Sequence, residues 1–365
     1  MSLLEDRYRY VLRMLPASYH AEREEEMVCA FLEGAGDLDD ADNPRPRWSE
    51  IASVAALSAR VRLGGAGAPP RFVVRGETIR LVAVLGLGFH AAMSCVWLAD
   101  LLRIYGILGS PPAVDQAVLG AAGSAERLWG IVRNLSGLLW VVAFVSLVRG
   151  RSRTAKTSAL IALGLYYGSL FPIGGVTWDE SVKAGVVQSL AFVLPVLALL
   201  AGFHRDAPRP RRPRWVAALP VGAGVLLYAA LGVLHAMMSA PAVDLSAWSW
   251  LWPWLGETGL ACLALLAASV ACVGTQLRVP AMRTPSLPWA LAILIVPVVF
   301  SIAFDVIGWT LQVDDPVART MEAVSIVQLV ALLLCCPALI VLSAKATPAL
   351  PGTAPPSAVT PRTER

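Results

Sequence analysis

Long apolar runs alternate with short polar segments along most of this chain. A helix needs about 20 apolar residues to cross the roughly 30 Å hydrocarbon core of a bilayer, and backbone groups in lipid must be hydrogen-bonded within their own segment, so we expect helices. The predicted spans are Leu81–Leu102, Leu128–Val148, Thr157–Val176, Ala184–Phe203, Trp215–Met238, Trp254–Val273, Trp289–Ile307 and Ala323–Leu342. The predicted fold class is therefore an all-α polytopic membrane helical bundle of eight transmembrane helices over residues 81–343. Pro172 and Gly174–Gly175 disfavour a helix at the end of the third span, which makes this span the weakest of the eight predictions.

The first 70 residues follow a different pattern, with apolar positions at helical spacing among many polar ones. The first apolar stripe consists of Leu4, Tyr8, Val11 and Leu15. Pro16 ends that helix, and two more helices are predicted near Ala17–Glu33 and over 51–61. Residues 1–70 are thus predicted to form a small three-helix cytoplasmic domain, joined to the first span by a linker at 71–80. Its core is so small that we expect the domain to pack against the membrane, a partner protein or a second copy of itself.

Basic residues are concentrated in alternate loops. They are Arg149, Arg151, Arg153 and Lys156 after the second span, Arg205, Arg209, Arg211, Arg212 and Arg214 after the fourth, and Arg278 and Arg283 after the sixth. Loops rich in Lys and Arg stay in the cytoplasm, so the pattern predicts an inner-membrane protein with both termini inside. Arg205–Arg214 has two interpretations, a topology anchor or a contact with anionic lipid headgroups. The tail, 344–365, is rich in Pro, Ala and Thr and is predicted to be disordered.

Composition agrees with a membrane protein and narrows the function. Only 15% of the residues are charged and the mean hydropathy is +0.63, whereas soluble domains carry about 25% charged residues. The net charge of +4 is small, and we expect no nucleic-acid partner. The six cysteines and four histidines form no metal-binding motif. No GxSxG, HExxH, Walker A or dinucleotide-binding glycine pattern occurs, so we expect no cofactor and favour a non-enzymatic role.

One segment resembles known proteins. The stretch "VLRMLPASYHAEREEEMVCAFLEG", Val11–Gly34, joins Leu-Pro, an aromatic residue and a basic-acidic run. It resembles the N-terminal segment of uncharacterised actinobacterial multi-pass membrane proteins and, more distantly, bacterial permease prefixes and HAAS-type signalling domains. The positions that carry the resemblance are Leu15, Pro16, Tyr19, Arg23, Glu25, Glu26 and Met27. His20 and Glu24 stand where the usual pattern has Arg and Gly. The resemblance implies a link to regulation or transport and carries over no catalytic residue.

A few ionisable residues fall inside the predicted spans, where they are costly and therefore candidates for function. They are Asp100, Arg133, His235, Glu257 and Asp305 in the outer third, and His90 near the midplane. In one interpretation they line an outward-facing cavity in which Arg133 pairs with Glu257 or Asp305. In the other they lie near the interface and hold helices together.

The stretch "WSWLWPWLGE" has four tryptophans at alternate positions at the entrance to the sixth span. They are Trp248, Trp250, Trp252 and Trp254. Tryptophan is enriched at membrane interfaces, so these residues are predicted anchors. An extended backbone would turn all four indoles to one side. They would then lie toward the headgroups or as a lid over a pocket that holds Glu257.

Two functions stay open. The sequence favours a sensor or regulatory partner in which residues 1–70 bind a cytoplasmic protein. The alternative is a transporter or permease-like component, and an enzyme that acts on lipid through the outer carboxylates is a third. A cavity that reaches from Glu257 and Asp305 to His90 would favour transport. A closed bundle with an apolar groove on the N-terminal helices would favour partner binding.

Overall fold

A computed structural model describes residues 3–35, 45–65, 68–108, 123–170, 180–204, 213–238, 248–279, 284–310 and 315–346. These parts of the chain fold as helices and turns, with no strand. The helices are α1 Leu3–Leu12, α2 Ala17–Ala35, α3 Trp48–Arg62, α4 Pro70–Ile104, α5 Ala125–Ser136, α6 Leu138–Val148, α7 Ser152–Leu170, α8 Glu180–Gly202, α9 Leu219–Met238, α10 Trp252–Leu255, α11 Glu257–Arg278, α12 Ser286–Thr310 and α13 Pro316–Ala346. A 3₁₀ turn, Arg214–Ala218, precedes α9.

Seven helical segments in the described ranges are long and apolar enough to cross a membrane. They are Pro70–Ile104, Gly130–Val148, Gly185–Gly202, Trp215–Leu234, Glu257–Arg278, Ser286–Thr310 and Pro316–Ala346. This confirms the all-helical class, and the seven candidate spans coincide with seven of the eight predicted ones. The second of these segments runs through α5 and α6, which meet at Gly137.

The predicted linker 71–80 is helical, which corrects the sequence-based boundary. Pro70 is tolerated in the first turn of α4, where its missing N–H has no helical partner to lose. Arg71, Arg75 and Glu77 lie on the first turns of this continuous helix. With 35 residues, α4 is about 52 Å long, well beyond the roughly 30 Å of hydrocarbon.

The third predicted span, Thr157–Val176, corresponds to α7. This helix is not among the seven candidate spans, because its first half is polar. Its residues after Leu170 lie outside the described ranges. The Lys156 ammonium donates to the Leu200 carbonyl at 3.1 Å, and the Tyr166 hydroxyl donates to the Gly185 carbonyl at 3.3 Å. These two contacts show that α7 lies antiparallel to α8 and follows it over most of its length.

Helices α4 and α12 occupy the centre of the bundle. In the apolar stretch of each span, 56% of α4 and 50% of α12 are buried inside the protein. The corresponding shares are only 11% for the span that contains α9 and 22% for α13. One apolar core surrounds α4, α6, α7 and α8, and a second lies among α11, α12 and α13. At the tightest crossing Gly86 of α4 faces the ring of Pro195 in α8, with no space for a Cβ.

Three short helices, α1 to α3, enclose a small apolar cluster that includes Tyr8, Leu12 and Val54. Arg9 of α1 bonds to Glu24 and Glu25 of α2, and this hydrogen bond with Arg9 lowers the pKa of Glu25. The three helices therefore have the predicted order and an apolar interior.

The end of α3 is fixed against the base of α4. Gly64 has a positive φ of 75° and lies beside the Phe72 carbonyl. The Leu63 carbonyl lies where a Cβ on Gly76 would be. Only glycine permits so close an approach of two backbones, so α3 and α4 meet directly. At the other end of the chain, α13 continues to Ala346, three residues into the predicted disordered tail, and residues 347–365 lie outside the described ranges.

Candidate functional site

A cavity of about 670 Å³ lies between α4, α8, α10, α11, α12 and α13, and Tyr166 of α7 contributes to its wall. Its ionisable and amide side chains are His90, Tyr166, Gln188, Glu257, Asp305 and Gln328. Its other aromatic side chains are Phe89, Trp97, Phe192, Trp252 and Trp309. No lysine or arginine is among its described lining residues. The site is therefore acidic and aromatic.

His90 is held by a carbonyl that a proline leaves free. An α-helical carbonyl normally accepts from the N–H four residues later, and Pro195 has no N–H to give to Ala191. The Nε2 atom of His90 lies 2.9 Å from the Ala191 oxygen. Because a carbonyl only accepts, Nε2 carries the hydrogen and donates it. The proline in α8 thus selects the tautomer of a histidine in α4.

The other ring nitrogen of His90 points at a carboxylate. Nδ1 lies 3.5 Å from Oε1 of Glu257, and the His90 side chain is only 3% exposed. Nδ1 is buried and makes no hydrogen bond to a described residue. A nearly buried histidine and a carboxylate thus face each other, with one ring nitrogen already committed to Ala191.

Aromatic rings fix the plane of the imidazole. The rings of His90 and Phe192 stack with their centroids 4.2 Å apart. The ring centroid of Trp140 lies 5.5 Å from that of His90. Tyr166 extends the stack, with its ring centroid 4.5 Å from that of Phe192. The site is preorganised because each ring is held by a different helix.

The two carboxylates of the cavity stand in different surroundings. Glu257 is the first residue of α11, where the positive end of the helix dipole favours an anion. Asp305 lies on α12 and lines the cavity, and it has no hydrogen-bond or ion-pair partner among the described residues. Asp305 is therefore available to a ligand, whereas Glu257 is paired with His90.

The tryptophan segment is not extended, which corrects the expectation of four indoles on one side. Residues 248–251 form turns and Trp252–Leu255 forms the one-turn helix α10. Trp252 lines the cavity together with Glu257, while Trp254 packs against the second core. The rings of Trp248 and Trp250 stack 6.4 Å apart. Pro and Gly explain the difference: Pro253 starts a helical turn, and Gly259 lets that turn rest on α11.

The predicted polar cluster is divided by the structure. His90, Glu257 and Asp305 share the cavity. Asp100 is not among the lining residues and pairs with Arg103 at 3.0 Å. The side chains of Arg133 and His235 lie outside the described part of the structure. The run Arg205–Arg214, predicted as a topology anchor or a lipid contact, also lies outside it except for the backbone of its last two residues. Among the described side chains Glu257 faces His90, and its predicted pairing with Arg133 falls on a side chain outside the described residues.

The sequence analysis did not single out Tyr166 and Phe192, because aromatic residues are ordinary inside apolar spans. The signal that would have found the site was Pro195, because a proline inside a helix implies a free carbonyl four residues earlier. Within the described ranges, no group of three or more His, Cys, Asp and Glu side chains is placed to hold a metal ion.

Comparison with known proteins adds no relative: no family model, no curated protein and no solved structure matches this chain. The resemblance of Val11–Gly34 to permease prefixes and HAAS-type domains stays a prediction.

Proposed function

We propose that this protein is a transporter or permease-like component that binds a small molecule in the cavity between α4, α8, α11 and α12. One observation carries the proposal: His90, Glu257 and Asp305 line a single cavity of about 670 Å³. Ligand cavities typically measure about 300–1,000 Å³ and combine apolar walls with a few polar groups. This observation reverses the preference that the sequence alone gave to a regulatory partner.

We propose that the cavity lies in the outer half of the membrane. Glu257 begins α11 and Asp305 lies in the last turns of α12. Under the positive-inside pattern both of these helix ends lie away from the cytoplasm. The proposed binding state therefore faces outward, in the cytoplasmic membrane of a bacterium.

We also propose that α7 is an eighth crossing. Gly88 of α4 contacts Phe144 of α6 and Gly137 contacts Ser94, so α6 runs antiparallel to α4. The contact of Gly86 with Pro195 and that of Ile79 with Gly202 give α8 the same direction as α6. The chain must therefore return across the bundle between α6 and α8, and α7 is the helix that lies there. Eight crossings put both termini on the same side, and the positive-inside pattern makes that side the cytoplasm.

Reporter fusions test this topology. We expect a fluorescent protein that matures only in the cytoplasm to be bright when fused at either Met1 or Arg365. Alkaline phosphatase, active only outside, should be active after Leu108 and inactive after Gly150. Termini on opposite sides of the membrane would contradict the eighth crossing.

Alternating access is the property that separates a carrier from a receptor with a fixed pocket. In a variant without native cysteines, we expect Ala264→Cys, in the cavity wall, to react with a membrane-impermeant maleimide. Labelling should occur in right-side-out and in inside-out vesicles, because a carrier exposes its site to both sides. Ala143→Cys, at a position with 0% exposure in the first core, is the matched control and should stay unlabelled. Labelling of Ala264→Cys from the outside alone would contradict transport.

A sensor remains the second candidate, and one observation favours it. The continuous helix α4 carries Phe89 and His90 in the cavity and meets α3 at Gly76. A ligand that tilts α4 would move the N-terminal helices, which are the proposed site for a cytoplasmic protein partner. Labelling of Ala264→Cys from the outside alone is the result that this candidate predicts.

A further inference from the structure

We infer that the cavity takes a monovalent organic cation with an apolar body and exchanges it for one proton held between His90 and Glu257. This inference rests on the proposed function, because it names the substrate class of the same cavity and what drives its exchange.

The geometry calls for one proton between the two side chains. His90 Nε2 already donates its hydrogen to Ala191. A neutral imidazole would then turn the lone pair of Nδ1 toward Oε1 of Glu257, 3.5 Å away. Two acceptors that face each other with no hydrogen between them repel, and burial strengthens the repulsion. A proton on either Nδ1 or the carboxylate turns this contact into an attraction, so the pair carries one proton and no net charge.

The other described groups near the pair do not replace that proton. The Tyr166 hydroxyl of α7 faces the carboxylate side of the pair and donates to the Gly185 carbonyl. The described lining residues of α8 and α13 include no ionisable side chain. Their amides are Gln188 and Gln328, and Gln328 donates to the Pro253 carbonyl at 3.2 Å. From α12 comes the second acid, Asp305. The described lining has acids and no lysine or arginine, so it favours a cation over an anion.

The walls specify the body of that cation. Indole and phenol faces attract ammonium-type cations, and the attraction grows when water is excluded. Trp97, Trp252 and Trp309 line the same cavity as the carboxylates, and Phe89 and Phe192 belong to the same wall. A hydrated metal ion would gain little from such walls, whereas an amine or quaternary cation with aromatic or aliphatic groups would bury them.

The exchange balances in charge and atoms. The cation enters from the outer side and pairs with the carboxylate of Glu257. The N–H or O–H bond that holds the shared proton breaks, and that proton leaves to water. One positive charge replaces another and nothing is oxidised or reduced. Reloading the proton reverses the step and expels the cation.

Tetraphenylphosphonium and its neutral analogue triphenylphosphine oxide form a matched probe pair. With the full-length protein in detergent or proteoliposomes, we expect the cation to bind, with quenching of cavity tryptophans, and the neutral analogue not to bind. Binding in unbuffered solution should release about one proton per cation, and the Kd should tighten about tenfold per pH unit while the pair is protonated, by linkage.

Three variants assign the residues. Glu257→Gln should lose proton release and the pH dependence of the Kd. Asp305→Asn should weaken cation binding at every pH and keep the proton release. Asp100→Asn, a matched change at the outer end of α4 that lies outside the cavity, should behave as wild type. Thermal unfolding of each variant, followed by size-exclusion chromatography, identifies any loss that comes from misfolding.

Two results overturn the inference in distinguishable ways. If both probes bind equally, or if cation binding releases no proton in the wild type, the cavity still binds small molecules but the cation–proton exchange is wrong. If neither probe binds and Ala264→Cys is labelled only from the outside, the proposed transport function falls with it.

Discussion

Gly86→Ala is expected to destabilise the protein by about 1–3 kcal/mol, the usual cost of forcing extra atoms into a packed interior. The new Cβ would lie 2.7 Å from the Cβ of Pro195 and closer still to its Cγ. A proline ring is fixed to its backbone and cannot turn aside, so α4 and α8 must separate. The separation would pull Ala191 away from His90. Equilibrium unfolding of the purified protein in detergent micelles, followed by tryptophan fluorescence, measures the loss.

Gly222→Ala supplies the control for this change. Gly222 lies on α9 with nothing within 4 Å of a built Cβ, and alanine favours a helix over glycine by about 1 kcal/mol. The control should therefore be as stable as wild type or more so. Equal stability of Gly86→Ala and Gly222→Ala would show that the α4–α8 crossing is wrongly described.

Pro195→Ala is expected to change the chemistry of His90 more than the stability of the fold. Alanine restores an N–H that donates to the Ala191 carbonyl, and His90 Nε2 then competes for its acceptor. A hydrogen bond contributes about 0.5–1.5 kcal/mol net, so the ratio of the Nε2–H to the Nδ1–H tautomer should fall roughly 2- to 13-fold. Nitrogen NMR of protein labelled at its histidine rings measures that ratio.

The matched control is Pro337→Ala in α13. Pro337 is also inside a helix, but it is exposed and does not line the cavity. Its replacement should leave the His90 tautomers and the tetraphenylphosphonium Kd unchanged. If Pro195→Ala leaves the tautomer ratio as it is in wild type, the carbonyl of Ala191 does not hold His90.

Most of the fold follows from local patterns that the sequence carries openly. Apolar runs of sufficient length predicted all seven described helices that could cross a membrane, and helical spacing predicted helices in the region of α1 to α3. The boundaries were harder, because a helix continues through polar residues wherever its backbone bonds are satisfied. For that reason residues 71–80, predicted as a linker, belong to α4.

The site was only partly predictable. The cost of ionisable groups in lipid singled out His90, Glu257 and Asp305, but the same rule also selected Asp100, which has a local partner in Arg103. Which polar residues meet depends on helix directions and close crossings such as Gly86 with Pro195. Those crossings are contacts between distant parts of the chain, and no local pattern encodes them.

The partners of His90 also set an order of assembly during synthesis. Ala191 follows His90 by 101 residues, which a ribosome takes about 5–20 s to add, and Glu257 comes later still. Until then α4 carries into the membrane a histidine whose acceptor has not been made. The centre of the bundle is thus the first part inserted and the last part completed, and in a chain truncated before α11 the Nδ1 of His90 would face no carboxylate.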